Sequence, residues 1–344
     1  MQLDAILEVA IGLVMMWLVL SVVTMEIQNW LSQALNTRAK FLQASLLTMF
    51  KNEQVLVDQF YNHPVIKELG TFDRKGTYRK PTYIPNDVFA RVAMEILTNT
   101  SKQSAALGPE AVSFSEMAGG AQQVIQRNPE LKELTDYLFP GMDQYGAVPF
   151  GLGDRQGRLE KYRENLKKWF DNNMEKASIW YKQYALTIAF FIGLGLALFF
   201  NVDTINVIQK LWREPTIRQA LVMQADNYQL EEGIDNISQV PGYFDSLSLP
   251  VGWTSIPLAD TSVCQNFVNL TPDGEVAYRA GNDCRVLVNI PPSYDVLGWI
   301  IKILGLLISA FAARQGAPFW FDLLRKLVTL RNATQPSKQE EAQG

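Results

Sequence analysis

The chain has few of the residues from which most catalytic and metal sites are built. Its 344 residues include one histidine, His63, and two cysteines. Zinc sites with several His and Cys ligands and Ser–His–Asp triads are therefore improbable. His63 precedes Pro64 in a polar stretch and is expected at the surface. The segment 151–157 (GLGDRQG) lacks the Lys–Ser/Thr ending of a phosphate-binding loop. We therefore expect no enzyme, no cofactor and no metal.

Charge is also scarce, and neither sign dominates. Charged residues make up 19% of the chain, and the formal net charge is −4. Nucleic-acid-binding domains usually carry a basic excess, so no nucleic-acid partner is expected. The hydrophobic share of 48% is ordinary. A membrane protein of this composition must therefore concentrate its apolar residues in a few segments.

Three segments have this concentration. They are 3–23, whose only charges are Asp4 and Glu8; 184–200, which has none; and 296–313, whose only charge is Lys302. At a rise of about 1.5 Å per residue, each is near the length that crosses a bilayer. The first has no basic start and no small-x-small cleavage motif, which argues against a signal peptide. The predicted fold class is a mainly α membrane protein. It has three transmembrane helices, a helical cytoplasmic region and a small α+β extracytoplasmic lobe.

The basic residues near these spans predict their orientation. Ten Lys and Arg residues flank one side and four flank the other, and the basic side normally faces the cytoplasm. The net charge agrees, because it is +2 for 25–183 and −7 for 202–295. The predicted organisation is transmembrane helix 1 over 1–24 with its N-terminus outside, a cytoplasmic region over 25–183, helix 2 over 184–201, an extracytoplasmic lobe over 202–295, helix 3 over 296–313, and an amphipathic helix with a disordered tail over 314–344.

Both cysteines fall in the predicted outer lobe. Cys264 and Cys284 are twenty positions apart, and an oxidising compartment would let them form a disulfide. The alternative is two buried thiols in a small folded lobe.

Local patterns predict further elements. Residues 25–55 have the spacing of one amphipathic helix that continues from the first span, and 157–183 form a helix that runs into the second. After the second span we expect two helices, with Pro215 opening the second of them. The segment 284–292 (CRVLVNIPP) is expected to contain a short strand.

Several stretches are similar to a family of uncharacterised bacterial integral membrane proteins. They are LSVVTMEIQNWLSQALNTRAKFL, PTYIPNDVFA, KKWFDNNMEKASIWYKQY, NVDTINVIQKLWREPTIRQAL, LPVGW and GAPFWFDLLRKLVTLR, in this order. The resemblance implies a three-span architecture and a bacterial inner (plasma) membrane location. It supplies no catalytic residues and does not include the two cysteines.

Glu8 and Lys302 are the strongly ionisable residues well inside the predicted spans. Each lies five or six residues from the outer end of its segment, so the two have similar depth. An uncompensated charge there costs about 2.5 kcal/mol or more, which favours pairing or snorkelling. We expect either an intramembrane Glu8–Lys302 ion pair or two side chains that snorkel separately.

The segment after the third span combines aromatic and basic residues. Gly316 and Pro318 break the span, and an amphipathic helix follows. Its predicted interfacial anchor residues are Phe319, Trp320, Leu324, Arg325, Lys326 and Arg331. Such a helix can lie in the membrane interface, pack on the protein's own cytoplasmic helices, or dock into a partner.

These observations favour an integral membrane scaffold or interaction subunit that anchors a cytoplasmic helical surface. The expected partners are membrane lipids and a protein partner or a second copy of the chain. Small residues at every fourth place, Ala189-Gly193-Ala197 and Gly305-Ser309-Ala313, would allow close helix packing. The alternative function is a subunit of an oligomeric channel or transport complex. Such a channel would have to be formed by several copies, because three helices per chain cannot enclose a pore.

Overall fold

The computed structural model describes residues 2–73, 76–100, 114–141, 152–230, 251–253, 255–258, 268–271, 274–280 and 283–334. These residues are mainly helical, with two small antiparallel sheets. Three of the described helices are long and apolar enough to cross a membrane, and they contain the three segments predicted from the sequence, except for residue 200 at the end of the second.

The described helices run in the following order along the chain. They are α1 Gln2–Leu35, α2 Thr37–Met49, α3 Gln54–Asn62, α4 Pro64–Glu68, α5 Asn86–Thr100, α6 Phe114–Arg127, α7 Leu131–Leu138, α8 Leu152–Phe199, α9 Thr204–Arg213, α10 Pro215–Leu230, α11 Val296–Gln315 and α12 Ala317–Thr334. The candidate spans lie in α1, α8 and α11. The helix pair after the second span and the opening of α10 by Pro215 are confirmed.

The predicted single helix over 25–55 is wrong. α1 ends at Leu35, and α2 begins at Thr37. Asn36 between them has a φ of 52° in the left-handed region, which asparagine tolerates better than most residues. Its side chain also accepts a hydrogen bond from Arg79 Nη1 at 2.8 Å. A polar contact with a residue 43 positions away therefore accompanies a break that the hydrophobic spacing does not reveal.

The chain divides into two compact units. Unit 1 comprises Met1–Leu31 and Tyr184–Gly344, and unit 2 comprises Ser32–Gln183. Each unit has its own apolar core.

The core of unit 1 is built around α1. Ile11, Met15 and Leu18 of this helix are almost fully buried. Side chains from α9, α10, α11 and α12 share the same core. Each of the three candidate spans contains an apolar segment of 18 residues. Of this segment, 61% is buried inside the protein in α1, 39% in α11 and 17% in α8. The first apolar helix is thus largely covered by other parts of the chain.

The core of unit 2 is formed by α2 to α5 together with α6, α7 and the first half of α8. Phe60, Phe89 and Phe170 lie at its centre, and the rings of Phe89 and Phe170 stack with centroids 4.3 Å apart. Two short antiparallel strands, β1 Thr71–Phe72 and β2 Tyr78–Arg79, also belong to this unit. Phe72 in β1 is 72% exposed.

The second sheet lies in the region predicted as an outer lobe. Its strands are β3 Ser255–Pro257, β4 Val268–Leu270, β5 Val276–Ala280 and β6 Asp283–Leu287, and their order in the sheet is β3-β6-β5-β4. The strand predicted at CRVLVNIPP is confirmed as β6. Ala277, Cys284 and Val286 form its small buried cluster.

Candidate functional sites

A buried polar network lies between α11 and the turn that follows α8. Lys302 Nζ donates a hydrogen bond to Asn201 Oδ1 at 2.6 Å and lies 3.7 Å from Asp203 Oδ2. The side chains of Lys302 and Asp203 are each 8% exposed. Asp203 also caps α9, because its Oδ1 accepts from the backbone N–H of Ile205 and Asn206. The amine is therefore compensated by a carboxylate whose position is fixed by a helix start.

Hydroxyl groups extend this network toward α1. Ser309 Oγ donates to the carbonyl of Val202 at 2.6 Å, and it lies 2.7 Å from Thr204 Oγ1. Trp17 Nε1 donates to Thr204 Oγ1 at 3.2 Å. The network thus joins α1, α9 and α11 through side chains that satisfy one another.

The predicted Glu8–Lys302 ion pair is wrong. Glu8 Oε2 accepts a hydrogen bond from Arg218 Nε at 2.8 Å, and both side chains are mostly buried. Lys302 has Asp203 and Asn201 as its partners instead. The two charges have similar depth by residue count, but α10 places a guanidinium beside Glu8 and the α8–α9 turn places a carboxylate beside Lys302. Separate snorkelling is not observed either.

Changing Glu8 to Gln is expected to lower the free energy of unfolding by about 2 kcal/mol, because Arg218 would keep its charge without a counter-charge. The measurement is SDS titration of the purified chain in mixed micelles, followed by circular dichroism. The double variant Glu8→Gln/Arg218→Met should recover part of the loss. A single variant as stable as the parent would show that the ion pair contributes nothing.

The predicted interfacial anchor residues lie on α12 in two different environments. Trp320 and Leu324 are buried in the core of unit 1, where Trp320 packs against Trp17 with ring centroids 4.7 Å apart. Trp320 Nε1 also donates to the carbonyl of Ala312 at 2.7 Å. These two side chains therefore cannot serve as lipid-facing anchors, and that part of the prediction is wrong. The apolar face packs on the protein's own helices, although these are α1 and α11 rather than helices of the predicted cytoplasmic region.

The other predicted anchor residues lie outside the core of unit 1. Phe319 is 50% exposed, and Arg325 and Lys326 are exposed. Arg331 is partly exposed. Phe319 and the basic pair thus remain available for an interfacial role, which stays a prediction.

The helices α10 and α12 contact each other within unit 1. A methyl group on Gly12 of α1 would touch Leu211 and Leu221 of α9 and α10, and Trp17, five residues later, contacts Trp320 of α12. The predicted topology places α10 and α12 on opposite sides of a membrane. If that topology holds, their contact requires at least one of them to enter the membrane thickness beside α1. The two helices α9 and α10 therefore contribute side chains to the core of unit 1.

One pair of small residues from the two stripes is in close contact. A methyl group added to Gly193 of α8 would lie 2.7 Å from the Cβ of Ala313 in α11. Ala189 and Ala197 are buried, and so are Gly305 and Ser309. Gly305 and Ser309 instead lie against the α8–α9 turn and the start of α9, so close contact between the two stripes is shown at Gly193 and Ala313.

The predicted disulfide cannot be placed, because Cys264 lies outside the described residues. Cys284 is 2% exposed on β6. The pairing remains a prediction, as do the absences of a cofactor and of enzymatic activity. Among the described residues, no group of three or more His, Cys, Asp and Glu side chains could hold a metal ion.

His63 is not the free surface residue expected from the sequence. Its side chain is 13% exposed, and Nε2 lies 3.4 Å from Glu95 Oε2. Glu95 comes from α5, so the pairing depends on packing between elements that the local sequence does not show.

Unit 2 contains an open cleft of about 370 Å³ that the sequence did not predict. Three segments form its walls: α2, residues 82–86 and the part of α8 from 170 to 181. Leu42, Ile84 and Phe170 supply a buried apolar floor. These wall segments overlap three of the stretches that carry the family resemblance. The three wall segments are far apart along the chain, so no local sequence pattern could have revealed the cleft.

Polar groups lie at the two ends of this cleft. At one end Asn86 Nδ2 donates to Asp171 Oδ2 at 2.7 Å. At the other end the Arg38 side chain interacts with the Tyr181 hydroxyl, which also lies 3.3 Å from Ser32 Oγ. Asp171 and Tyr181 are ten residues apart on α8, or about 15 Å along the helix axis. The cleft therefore has an apolar middle with opposite charges at its ends.

Comparisons of the chain with family models, with curated proteins and with solved structures found no match.

Proposed function

We propose that the chain is an integral membrane protein that acts as a scaffold or interaction subunit and anchors the helical surface of unit 2 to a bacterial inner membrane. The observation that supports this proposal is the uneven distribution of long apolar segments between the two units. The apolar windows with the highest hydropathy lie in helices of unit 1, whereas unit 2 has an apolar core of its own.

The exposed aromatic residues of unit 2 are the candidate partner contacts. Phe72, Tyr83 and Tyr137 are each more than two-thirds exposed. Large exposed aromatic side chains are enriched at protein interfaces, where they contribute a large share of the binding energy. A channel formed by one chain is less favoured, because the buried polar groups described in unit 1 bond to each other.

A photoreactive amino acid at Phe72 is expected to give one discrete crosslinked product in native membranes, either with a partner protein or with a second copy. The matched control is the same amino acid at Lys161, an exposed polar position on α8. Gel mobility and mass spectrometry would identify the product. The scaffold proposal fails if Phe72 and Lys161 give the same diffuse pattern and the detergent-solubilised particle is monomeric.

The proposed orientation has its own test. A reporter active only in the cytoplasm, fused after Thr334, should be active, and the same reporter inserted beside Cys264 should be silent. The opposite result would reverse the orientation. Extraction of the chain by alkaline carbonate would remove the membrane proposal altogether.

A further inference from the structure

The cleft of unit 2 combines an apolar floor with a basic end. The floor is formed by buried or partly buried side chains from three segments: Phe41, Leu42, Ile84, Phe170 and Met174. An apolar floor of this kind is most stable when an apolar group covers it.

The basic end has unused binding capacity. Arg38 is exposed, and no carboxylate lies within 4 Å of its guanidinium among the described residues. The Tyr181 hydroxyl beside it and the nearby hydroxyls of Ser32 and Thr37 add hydrogen-bonding groups. A guanidinium with adjacent hydroxyls is well suited to bind a carboxylate.

The opposite end fixes the direction of a bound molecule. Asp171 is a carboxylate, and Asn86 already donates to it. An anion would be repelled there and attracted to Arg38. A ligand that fits both ends and the middle therefore has one anionic head and one apolar tail.

The position of the basic end on α8 indicates where such a ligand comes from. Tyr181 is three residues before Tyr184, at which the uncharged segment of the same helix begins. Trp180 and Tyr184 are exposed, as aromatic residues at a membrane interface commonly are. Single-chain anionic lipids concentrate at such an interface.

We propose that this cleft binds a single-chain anionic lipid of the fatty-acid type, with its carboxylate on Arg38 and Tyr181 and its chain along the apolar floor. The site goes beyond the scaffold function and does not depend on it. The crosslinking test at Phe72 and the lipid test below can therefore fail independently.

The test uses the full-length chain in neutral detergent and a palmitate analogue that carries a diazirine. After illumination, peptides from α2, residues 82–86 and the 170–181 part of α8 should carry the label. Arg38→Gln should weaken binding about tenfold, because a charge-assisted hydrogen bond is lost. Arg91→Gln, which changes another exposed arginine in unit 2, should leave the labelling unchanged.

A second variant tests the floor independently of charge. Ser45→Trp would place a large ring in the cleft, and it should abolish the label on these peptides while the thermal unfolding midpoint stays the same. Unlabelled palmitate should compete, and its neutral methyl ester should not. The proposal is overturned if Arg38→Gln and Arg91→Gln label equally, if the ester competes as well as the acid, if only an anionic phospholipid competes, or if the label is confined to the apolar part of α8.

Discussion

Changing Asp203 to Asn is expected to lower the free energy of unfolding by about 3–5 kcal/mol, the usual cost of leaving a buried charge without its partner. The Lys302 and Asp203 side chains are each only 8% exposed, so water cannot replace the lost carboxylate. The asparagine amide oxygen can still accept from the first backbone N–H groups of α9, so the helix cap is mostly kept. SDS titration in mixed micelles would measure the loss.

A double variant distinguishes the loss of the counter-charge to Lys302 from any weakening of the N-terminal cap of α9. Lys302→Met combined with Asp203→Asn removes both charges and keeps the length of the side chain at 302. Most of the lost stability should return, because an uncharged pair has no desolvation cost. If the double variant is as unstable as the single one, the carboxylate acts through the cap alone. If the single variant unfolds like the parent, the ion pair has no energetic role.

Changing Gly305 to Ala should be nearly as damaging, with an expected loss of about 3 kcal/mol. A methyl group at this position would overlap the carboxylate of Asp203 and lie 3.3 Å from the backbone nitrogen of Ile205. The α8–α9 turn would have to move away from α11, and the contacts of Lys302 would lengthen. The same SDS titration applies.

Gly195→Ala is the matched control for this prediction. Gly195 lies on α8 in the candidate span, and an added methyl group would meet no atom within 4 Å. Its stability should be unchanged or higher by up to about 1 kcal/mol, because alanine favours the helix. Equal losses in the two glycine variants would contradict the close approach at Gly305.

The sequence was most informative where one local pattern decides the structure. The uncharged run at 184–200 predicted an apolar helix, and α8 contains all of it except the last residue. Pro215 predicted the start of α10 because proline suits the first turn of a helix. Glu8 and Lys302 were recognised as unusual because a charge in an apolar segment is costly wherever its partner lies.

The partners themselves could not be predicted, because they are distant in sequence. Glu8 bonds to a residue of α10, and Lys302 bonds to a turn about 100 positions earlier. The number of residues from the outer end of each predicted span indicated that Glu8 and Lys302 lie at similar depths. It could not show that α9 and α10 pack around α1 and supply closer partners.

Trp320 shows a second limit of sequence reasoning. An apolar helix face has the same residue pattern whether it meets lipid or protein, so α12 was equally compatible with both. The structure buries Trp320 against Trp17, a residue that no local feature links to it. The cleft of unit 2 was missed for a related reason, since its walls come from three separate segments.

The cover around α1 has a consequence for how the protein is made. Glu8 is synthesised before its partner Arg218, which follows 210 positions later. At roughly 5–20 residues per second, translation takes about 10–40 s to reach that arginine. During this interval α1 has neither the counter-charge of Arg218 nor the helices that later pack against it. Ribosomes stalled before the codon of Arg218 should therefore leave a chain that membrane quality-control proteases recognise.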